Sequence, residues 1–568
     1  MNDIRRTILW VIFGFSMVLL WDQWQVHNGN KATFFPTPPQ QAKAATETAS
    51  GVPQAAGVPV AVAPQGTATL SVVESRTVSK ELVQVQTDVA KLSFDTEGGT
   101  LVRVELLKHA DEQKPGSNVV LLDDSKDRIY TAQTGLISNT PGVVLPTHKT
   151  VMMVRPGSRQ LKEGDKELTI AFESPAQNGL KLIKTYTMKR AAYDIAVKHE
   201  IVNTSGQEVT PQVYFQLVRD GNKLAGESSF YSTFTGPAIY TEAKKYQKVE
   251  FADIKKKKVD VEKQSNVGYI AMVQHYFASA WILPDGMQRD ISLDAVDIGS
   301  TMADCCYRVT MISPLEAIKP GQTKTVTATF YAGPQEEKKL ESLYPGLELV
   351  KDYGWLTILA KPLFWLLDQL FKILGNWGWA IVALVVLLKA AFYWLNAHAY
   401  QSMAKMKAIN PKIMEMRERL KDNPQQMQME MMKIYREEKV NPMGGCVPIA
   451  LQIPVFIALY WVLLSTVEIR NAPWLGWIHD LSAPDPYFIL PLFMTLTTLL
   501  QTALNPAPPD PMQAKMMWIM PLAFSVMFFF FPAGLVLYWI TNNVLSIAQQ
   551  WLINIRMGVP PQFNLPKF

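Results

Sequence analysis

Cysteine is scarce in this sequence, and its positions argue against a disulfide-held fold. Only three cysteines occur among 568 residues, which is too few for the crosslinked framework of a small secreted domain. Cys305 and Cys306 are neighbours in the chain, and a bridge between neighbours would strain the peptide bond that joins them. We therefore expect packed thiols at this position rather than a redox pair.

The short motifs of common enzymes are also missing. The sequence contains no GxxxxGK[ST], HExxH, GxSxG or CxxC, and its seven histidines are scattered along the chain. These absences argue against a P-loop ATPase, a zinc metalloprotease and a serine hydrolase. We therefore predict a protein that is not an enzyme, with no catalytic residues, no metal site and no cofactor.

Charged residues are few, and apolar residues are unevenly distributed. Charged residues make up 18% of the chain and hydrophobic residues 48%, whereas a soluble domain is about a quarter charged. The apolar excess lies at the extreme N-terminus and after Trp355. The segment between them resembles an ordinary soluble domain. This distribution predicts a membrane protein with a large water-exposed insert.

The N-terminal part predicts a membrane anchor followed by a tether. The apolar run Thr7–Trp21 follows Arg5 and Arg6, and no small-x-small cleavage site comes after it. Residues 1–27 are therefore predicted to be an uncleaved signal anchor whose N-terminus is cytoplasmic. Residues 28–80, rich in Pro, Ala, Gln, Thr and Gly, are predicted to be a disordered periplasmic tether.

Residues 81–345 show the alternation that is typical of β-strands. In the stretch YDIAVKHEI the apolar residues fall on one face and most of the charged residues on the other. Turn-forming stretches such as NTSG, KPGQ and EGG separate these runs. The pattern predicts a periplasmic all-β sandwich.

Residues 346–375 contain an amphipathic segment. On a helical projection, Lys361, Asp368 and Lys372 fall within about 40° of one another, and large apolar residues occupy most of the remaining circumference. Such a helix is expected to lie flat in the lipid headgroup layer. A helix packed on the β-domain is the alternative.

Residues 376–568 are predicted to form a core of five membrane spans. The predicted spans are Trp377–Leu395, Cys446–Leu464, Tyr487–Leu504, Met516–Phe531 and Ala533–Ile553. The loop 398–445 carries nine Lys or Arg residues, whereas the loop 467–486 carries one. The first loop is therefore cytoplasmic by the positive-inside rule. With the anchor, the fold class is a polytopic α-helical membrane protein of six transmembrane helices, both termini inside.

The loop 398–445 is predicted to be a cytoplasmic helical hairpin. Two helical stretches flank the turn sequence DNP, and methionines recur along both stretches at three- and four-residue spacing. This methionine stripe could pack the two helices together. It could also contact varied apolar segments of other proteins, because methionine is adaptable.

Lys389 is the one charge inside the run Trp377–Leu395. It lies about 9 Å inside the predicted cytoplasmic end of that span, so its ammonium reaches the surface only marginally by snorkelling. No acidic residue occurs in the other four predicted spans of the core to pair with it. Because an unpaired charge needs water, we favour a cavity open to the cytoplasm.

Polar residues recur at helical spacing in the same spans. They could bond neighbouring helices, as is common in membrane bundles, or line that cavity together with Lys389. They are Gln452, Thr495, Thr498, Gln501, Thr502, Tyr538, Thr541, Asn542, Ser546, Gln549 and Gln550.

The C-terminal half resembles the YidC membrane insertases. The matching stretches are NWGWAIV, AYQSMAKMK, EEKVNPMGGCVPIALQIPVFIALYWVL, IRNAPWLGWIHDLSAPDPYFILP, DPMQAKMMWIMP and FPAGLVLYWITNN. The order of anchor, tether, β-domain, interfacial helix and core also agrees with that family. One departure is Lys389, where the family usually has arginine; lysine lacks the planar guanidinium fork and can lose its proton when desolvated.

The resemblance implies a membrane protein insertase and chaperone in the inner membrane of a Gram-negative bacterium. It implies a polar groove, open to the cytoplasm and lipid and closed to the periplasm, that admits the hydrophilic tail of a client without any nucleotide. The expected groove residues are Lys389, Gln452, Thr498, Gln501, Tyr538, Trp539, Asn542 and Ser546. The expected hairpin contacts are Lys405, Lys407, Arg417 and Arg419. The implied partners are nascent membrane proteins, the Sec translocon with its accessory subunits, the ribosome and membrane lipids.

Two other functions are considered. A solute transporter predicts internal repeats and a pathway through the bilayer, and no convincing repeat is found in the sequence. A periplasmic carbohydrate-binding protein or enzyme is compatible with a β-sandwich of this size, but a fold does not establish a function.

Overall fold

The computed structural model describes residues 81–114, 116–224, 233–296, 305–420, 423–438, 447–505, 511–558 and 563. The predicted anchor and tether lie outside these residues. The described chain divides into two compact units. The β-unit comprises residues up to Lys361 together with Trp461–Asn471, and the helical unit comprises Pro362–Tyr460 and the residues from Ala472 onward.

The described part of the β-unit is built mainly of strands. They are β1 (Leu82–Gln86), β2 (Ala90–Asp95), β3 (Thr100–Ala110), β4 (Asn118–Asp124), β5 (Ile129–Ile137), β6 (Met153–Val154), β7 (Glu167–Glu173), β8 (Leu180–Lys189), β9 (Asp194–Asn203), β10 (Gln212–Arg219), β11 (Gly236–Thr241), β12 (Lys245–Lys248), β13 (Gln264–Ser265), β14 (Tyr269–Gln274), β15 (Phe277–Ile282), β16 (Arg289–Ala295), β17 (Tyr307–Pro314) and β18 (Thr323–Pro334). Two short helices, α1 (Phe251–Lys255) and α2 (Glu337–Leu343), accompany them.

The strands form two nine-stranded sheets. One has the order β1-β2-β3-β4-β5-β10-β17-β16-β13, and the other has the order β12-β11-β14-β15-β18-β9-β8-β7-β6. Along β9, Ile195, Val197 and Ile201 are buried between more exposed neighbours, as the alternating sequence predicts. The strands β10, β14 and β15 are buried along their whole length because protein covers both faces. The predicted β-sandwich is confirmed.

A segment from the C-terminal half of the sequence completes the β-unit. Val467 is 4% exposed and belongs to the main apolar core of this unit. Arg470 donates from Nε to Glu112 Oε1 at 2.7 Å, and His275 Nε2 lies 3.0 Å from the carbonyl oxygen of Leu464. The β-unit is therefore assembled from two stretches that are far apart in the sequence.

Cys305 and Cys306 differ from the expectation of separate thiols. A cis peptide bond joins the two residues, and their sulfur atoms are paired in a disulfide. Cys306 is 1% exposed, and both residues pack with Ile129 and Val218.

Several titratable side chains are buried in the β-unit. Lys184 is fully buried and donates from Nζ to the carbonyl oxygens of Gly98 at 2.7 Å and Thr134 at 2.6 Å. His199 Nε2 lies 2.9 Å from Thr134 Oγ1. Burial lowers the pKa of Lys184 to about 7, and it lowers the pKa of His199 well below its ordinary value.

Acidification is expected to destabilise the β-unit. Burial lowers the pKa of His109 and His275 to about 4 and that of His148 and His199 well below 6.5. Between pH 6.5 and pH 4 these histidines bind protons in the unfolded chain but stay neutral in the native protein. The free energy of unfolding therefore decreases as the pH falls from 6.5 towards 4. The expected slope is about 1.4 kcal/mol per pH unit for each histidine.

Hydrogen exchange of the β-unit amides in the full-length protein, corrected for intrinsic rates, measures this slope. His199→Gln should reduce it, whereas the exposed His479 supplies a His→Gln control that leaves it unchanged. A stability that does not change with pH over this interval would contradict the prediction.

The longer helices follow the β-unit strands in the chain. They are α3 (Thr357–Leu374), α4 (Trp377–Ala391), α5 (Tyr393–Arg419), α6 (Pro424–Glu437), α7 (Val447–Ser465), α8 (Ile489–Leu504), α9 (Pro511–Met527) and α10 (Ala533–Arg556). None of the described helices is by itself long and apolar enough to cross a bilayer, but α4 and the following helix up to Met406, which meet at a 68° bend, reach that length together.

The helix α3 has two apolar faces with different surroundings. Ala360, Phe364 and Leu367 are buried. Ile358 and Ile373 are 88% and 78% exposed, and Trp365 is also exposed. Lys372 Nζ pairs with Asp368 one turn earlier, at 3.0 Å. The helix is therefore partly packed against protein and partly open to its surroundings.

The methionine stripe of the hairpin packs α5 against α6. The residues of this small core are Met406, Ile409, Ile413, Met416, Leu420, Met427, Met431, Ile434 and Tyr435. Outside it, Met414, Met429 and Met432 are exposed. The stripe thus serves the packing role, and a second set of methionines faces outward.

Candidate functional site

A small cavity in the helical unit gathers several of the predicted groove residues. Its volume is about 30 Å³, which is room for about two water molecules. It is lined by Val385, Leu388 and Lys389 from α4, Phe392 between α4 and α5, Leu395 and Asn396 from α5, Gln452 and Val455 from α7, and Tyr538 and Asn542 from α10. Polar groups from four elements therefore converge on one apolar-walled space.

Lys389 is held by a hydroxyl rather than by a carboxylate. Its Nζ donates to Ser546 Oγ at 2.7 Å. Ser546 is 2% exposed and donates in turn to the carbonyl oxygen of Asn542, one turn earlier in α10, at 2.7 Å. These two hydrogen bonds fix the ammonium against α10 without neutralising its charge, so the positive charge remains available to an anionic group.

Gln452 connects α7 to α10 across the cavity. Its Nε2 donates to Asn542 Oδ1 at 2.6 Å. One turn further along α7, the ring of Phe456 lies 5.9 Å from that of Tyr538 and 4.6 Å from that of Trp539. Trp539 also lies 5.2 Å from Phe528, so it belongs to an aromatic cluster and does not line the cavity.

Thr498 belongs to α8 and contacts a different side of α10 from the one that faces the cavity. Its Oγ1 accepts from Asn543 Nδ2 at 2.9 Å, and Asn543 is one residue, or about 100° of helix rotation, away from Asn542. Gln501, three residues further along α8, does not line the cavity either. The structure therefore unites Lys389, Gln452, Tyr538, Asn542 and Ser546 and leaves the other groove candidates apart.

The sequence interpretation missed Asn396 and Asn543. Asn396 is 9% exposed and lines the cavity beside Lys389. It comes seven residues after Lys389, which is a same-face spacing only on an unbroken helix, whereas α4 and α5 meet at a 68° bend between the two residues. Asn543 adjoins Asn542 in the sequence, and nothing in the pattern of residues distinguishes their directions.

The expected hairpin contacts are in different situations. Lys405 is exposed on α5. Arg419 is engaged by Glu430 of α6 at 2.7 Å. Arg417 lies on the same helix, with its Nε buried and without a hydrogen-bond partner. Lys405 and Arg419 are both exposed, and Arg419 is already paired with a carboxylate.

The segment 472–488, which we call the cap segment, holds the beginnings of three helices together. The backbone N–H groups of Ala533 and Gly534, at the start of α10, donate to the carbonyl oxygens of Ala483 and Leu481, each at 2.8 Å. Asn376, which caps the start of α4, donates from Nδ2 to the carbonyl oxygen of Pro473 at 2.9 Å. The third helix, α8, begins where the cap segment ends.

Asp485 organises the cap segment from within. It is 1% exposed. Its Oδ1 accepts from Trp477 Nε1 at 2.9 Å and from the N–H of Tyr487 at 3.0 Å, and its Oδ2 accepts from the N–H of Leu490 at 2.7 Å. Three donors thus satisfy one buried carboxylate at the start of α8, where the helix dipole also favours a negative charge.

Gly378 allows the cap segment to approach α4 closely. A Cβ at this position would lie 2.2 Å from Cδ1 of Trp474. The rings of Trp379 and Trp474 meet edge to face with centroids 5.8 Å apart. Indole packing and the absence of a side chain at Gly378 therefore seat the cap segment on this helix.

Comparison with known proteins covers nearly the whole chain. A family model described as the YidC periplasmic domain matches residues 82–366, and one described as 60Kd inner membrane protein matches residues 369–559. A protein of Cupriavidus necator named membrane protein insertase YidC is 52% identical over 560 residues, which are 98% of each chain. A protein of Ralstonia nicotianae with the same name is 51% identical over 561 residues, again 98% of each chain.

A solved structure also aligns with the chain. A crystal structure described as an active YidC insertase with the first transmembrane domain resolved aligns with a TM-score of 0.37 and 18% identity, covering 83% of this chain and 92% of that one. The family models and the relatives at about half identity are sufficient to place the sequence. This chain belongs to the YidC family of membrane protein insertases.

Proposed function

We propose that this protein inserts newly made membrane proteins into the bacterial inner membrane and assists their folding. The observation that carries the proposal is the Lys389 ammonium, held by Ser546 in a cavity that the amides of Gln452 and Asn542 share. A charge with polar neighbours inside an apolar helical unit suits the transient reception of hydrophilic peptide.

The physical task is to move a polar tail past hydrocarbon. Each unpaired polar group in lipid costs several kcal/mol, so a polar recess that reaches part of the way into the bilayer lowers the barrier. Lys389 attracts acidic residues of the tail, while the apolar segment of the client enters lipid beside the helices. Burial of that segment, together with the membrane potential acting on negative charges, supplies the driving force without nucleotide.

The proposed topology has six transmembrane helices and both termini in the cytoplasm. The nine cationic residues of the loop 398–445, against one in the loop 467–486, support this orientation. The β-unit and the cap segment then lie on the periplasmic side, and α5 and α6 project into the cytoplasm. In this arrangement the cap segment closes the outer end of the bundle.

The proposed partners use different surfaces. The hairpin, with Lys405, Lys407, Arg417 and Arg419, receives the ribosome or the nascent chain. The exposed Met414, Met429 and Met432 support contact with apolar segments there. The Sec translocon and its accessory subunits remain proposed partners through family membership.

Lipid contact by α3 is testable at single residues. A nitrobenzoxadiazole label on Ile373→Cys, in a background without the native cysteines, is expected to be quenched by lipids spin-labelled near the headgroup, because the exposed apolar face lies in that layer. A label on the adjacent Lys372→Cys should be quenched less. Equal quenching at the two sites would contradict the interfacial orientation.

Reconstitution tests the proposed function directly. Purified full-length protein in liposomes, without Sec components, should protect the translocated tail of a radiolabelled small membrane protein from external protease only after insertion. Empty liposomes provide the baseline. Solute uptake without insertion would favour a transporter, and failure to insert any client would contradict the proposal.

A further inference from the structure

The cavity beside Lys389 is too small for a peptide. Its volume of about 30 Å³ accommodates water molecules but not an amino-acid residue with its backbone. If the proposed function is correct, at least one wall has to move before a client tail can enter. The contacts around α10 show which wall is least firmly held.

Three helices are closely joined to α10. Its backbone lies within 8 Å of α8, α4 and α5 along several residues. Polar bonds reinforce these neighbours: Asn543 bonds to Thr498 of α8, and Ser546 receives the ammonium of Lys389 from α4. Of the helices that line the cavity, α4 is therefore held to α10 by both backbone proximity and a hydrogen bond, and α5 by backbone proximity.

The helix α7 is attached differently. Among the described residues, no comparable backbone approach joins it to α10. Side chains bridge the gap instead, through the Gln452–Asn542 hydrogen bond and through the ring of Phe456, which lies against Tyr538 and Trp539. Aromatic contacts can slide, whereas the amide pair is directional and has to break when the helices separate.

A proline lies beside this amide pair. Pro454 is inside α7, two residues after Gln452. Because proline has no N–H, the helix lacks one backbone hydrogen bond at this turn, and helices bend preferentially at such positions. The end of α7 that carries Gln452 can therefore tilt about Pro454.

We propose that the Gln452–Asn542 hydrogen bond, which we call the latch, holds the cavity closed. It breaks when α7 moves away from α10, and the cavity then admits the client. Once the latch is broken, the side-chain amides of Gln452 and Asn542 bind the extended peptide backbone of the client. Each peptide unit offers one N–H and one C=O, and these satisfy the amide oxygen of Asn542 and the amide nitrogen of Gln452 that separation exposes. Recognition through backbone groups does not depend on the client's sequence, whereas Lys389 selects for acidic side chains.

A reversible crosslink tests whether the latch must open. Gln452→Cys and Asn542→Cys are introduced together into the full-length chain with the three native cysteines replaced by serine. A short reducible bis-thiosulfonate reagent then bridges them in proteoliposomes. The bridged protein is expected to insert a small client at least about tenfold more slowly than the same protein after reduction.

A matched pair controls for crosslinking as such. Asn505→Cys with Gln550→Cys joins the residue that follows α8 to α10, where Gln550 Nε2 donates to Asn505 Oδ1 at 3.2 Å. Bridging this pair should leave the insertion rate unchanged. Two results would contradict the proposal. One is that the bridged 452–542 protein inserts the client as fast as it does after the crosslink is reduced. The other is that the reagent fails to bridge these two positions.

The outcomes separate the latch from the proposed function on which it rests. If the protein with native residues at 452 and 542 inserts no client in the same vesicles, the proposed function fails. If it inserts clients and the bridge has no effect, the function stands and the latch is rejected.

Discussion

Alanine at position 389 is expected to slow the insertion of clients with acidic outer tails by about tenfold, equivalent to about 1.4 kcal/mol. The substitution removes the ammonium that Ser546 holds at 2.7 Å and that no carboxylate shares in this hydrogen-bonded chain. A cation in a medium of low dielectric attracts a carboxylate strongly, and its loss leaves only the neutral amides of the cavity. Initial insertion rates in proteoliposomes measure the effect.

Two further substitutions at position 389 separate charge from shape. Lys389→Arg should retain insertion, because it keeps a cation within reach of Ser546 and of a client carboxylate. Lys389→Gln should resemble alanine, because it keeps a polar side chain of moderate length without the charge. A client whose tail has no acidic residue should respond little to any of the three. If the alanine variant inserts acidic tails at the normal rate, the charge has no role here.

Alanine at position 485 is expected to open the cap segment. The carboxylate of Asp485 is buried and accepts from Trp477 Nε1 and from the N–H groups of Tyr487 and Leu490. Removing it leaves the buried N–H of Leu490 and the part-buried donors of Trp477 and Tyr487 without this partner, at a cost of about 3 kcal/mol. Amides of the segment 477–490 should then exchange hydrogen about 100-fold faster, as this cost implies.

The neighbouring Asp480 supplies the matched control. Its carboxylate bonds locally, accepting from the N–H and the hydroxyl of Ser482 at 2.8 and 2.7 Å. Asp480→Ala should therefore loosen that turn without releasing the start of α8. Because the cap segment is proposed to close the periplasmic end, the Asp485 variant should also make proteoliposomes leak potassium. Unchanged exchange and an unchanged potassium permeability in that variant would contradict this role of the carboxylate.

The features that sequence reasoning located are those that a repeating pattern or an isolated charge reveals. The alternation along Asp194–Asn203 predicts a strand with one buried face, and the structure confirms it. Lys389 is conspicuous because a lone cation in an apolar run requires an explanation. In both cases the local chemistry alone constrains the surroundings.

The features that it did not locate depend on the rotation and contacts of whole helices. Asn542 and Asn543 are adjacent and chemically identical, yet one bonds to Gln452 and the other to Thr498. Which of them faces the cavity is decided by how α10 packs, and the residue types do not encode it. Asp485 looks in the sequence like an ordinary loop carboxylate. Its three donors lie within eight residues of it along the chain, and the conformation of the cap segment is what directs them all to the carboxylate.

The β-unit contains residues that are translated late, so it completes its folding late in synthesis. Its apolar core includes Val467, and Arg470 and Leu464 contact its side chains. A ribosome makes these residues only after it has made α3 to α6 and most of α7. The apolar core of the strands therefore stays incompletely buried while those helices are translated. A chain arrested before residue 467 would therefore expose an unfilled apolar site on its exported half.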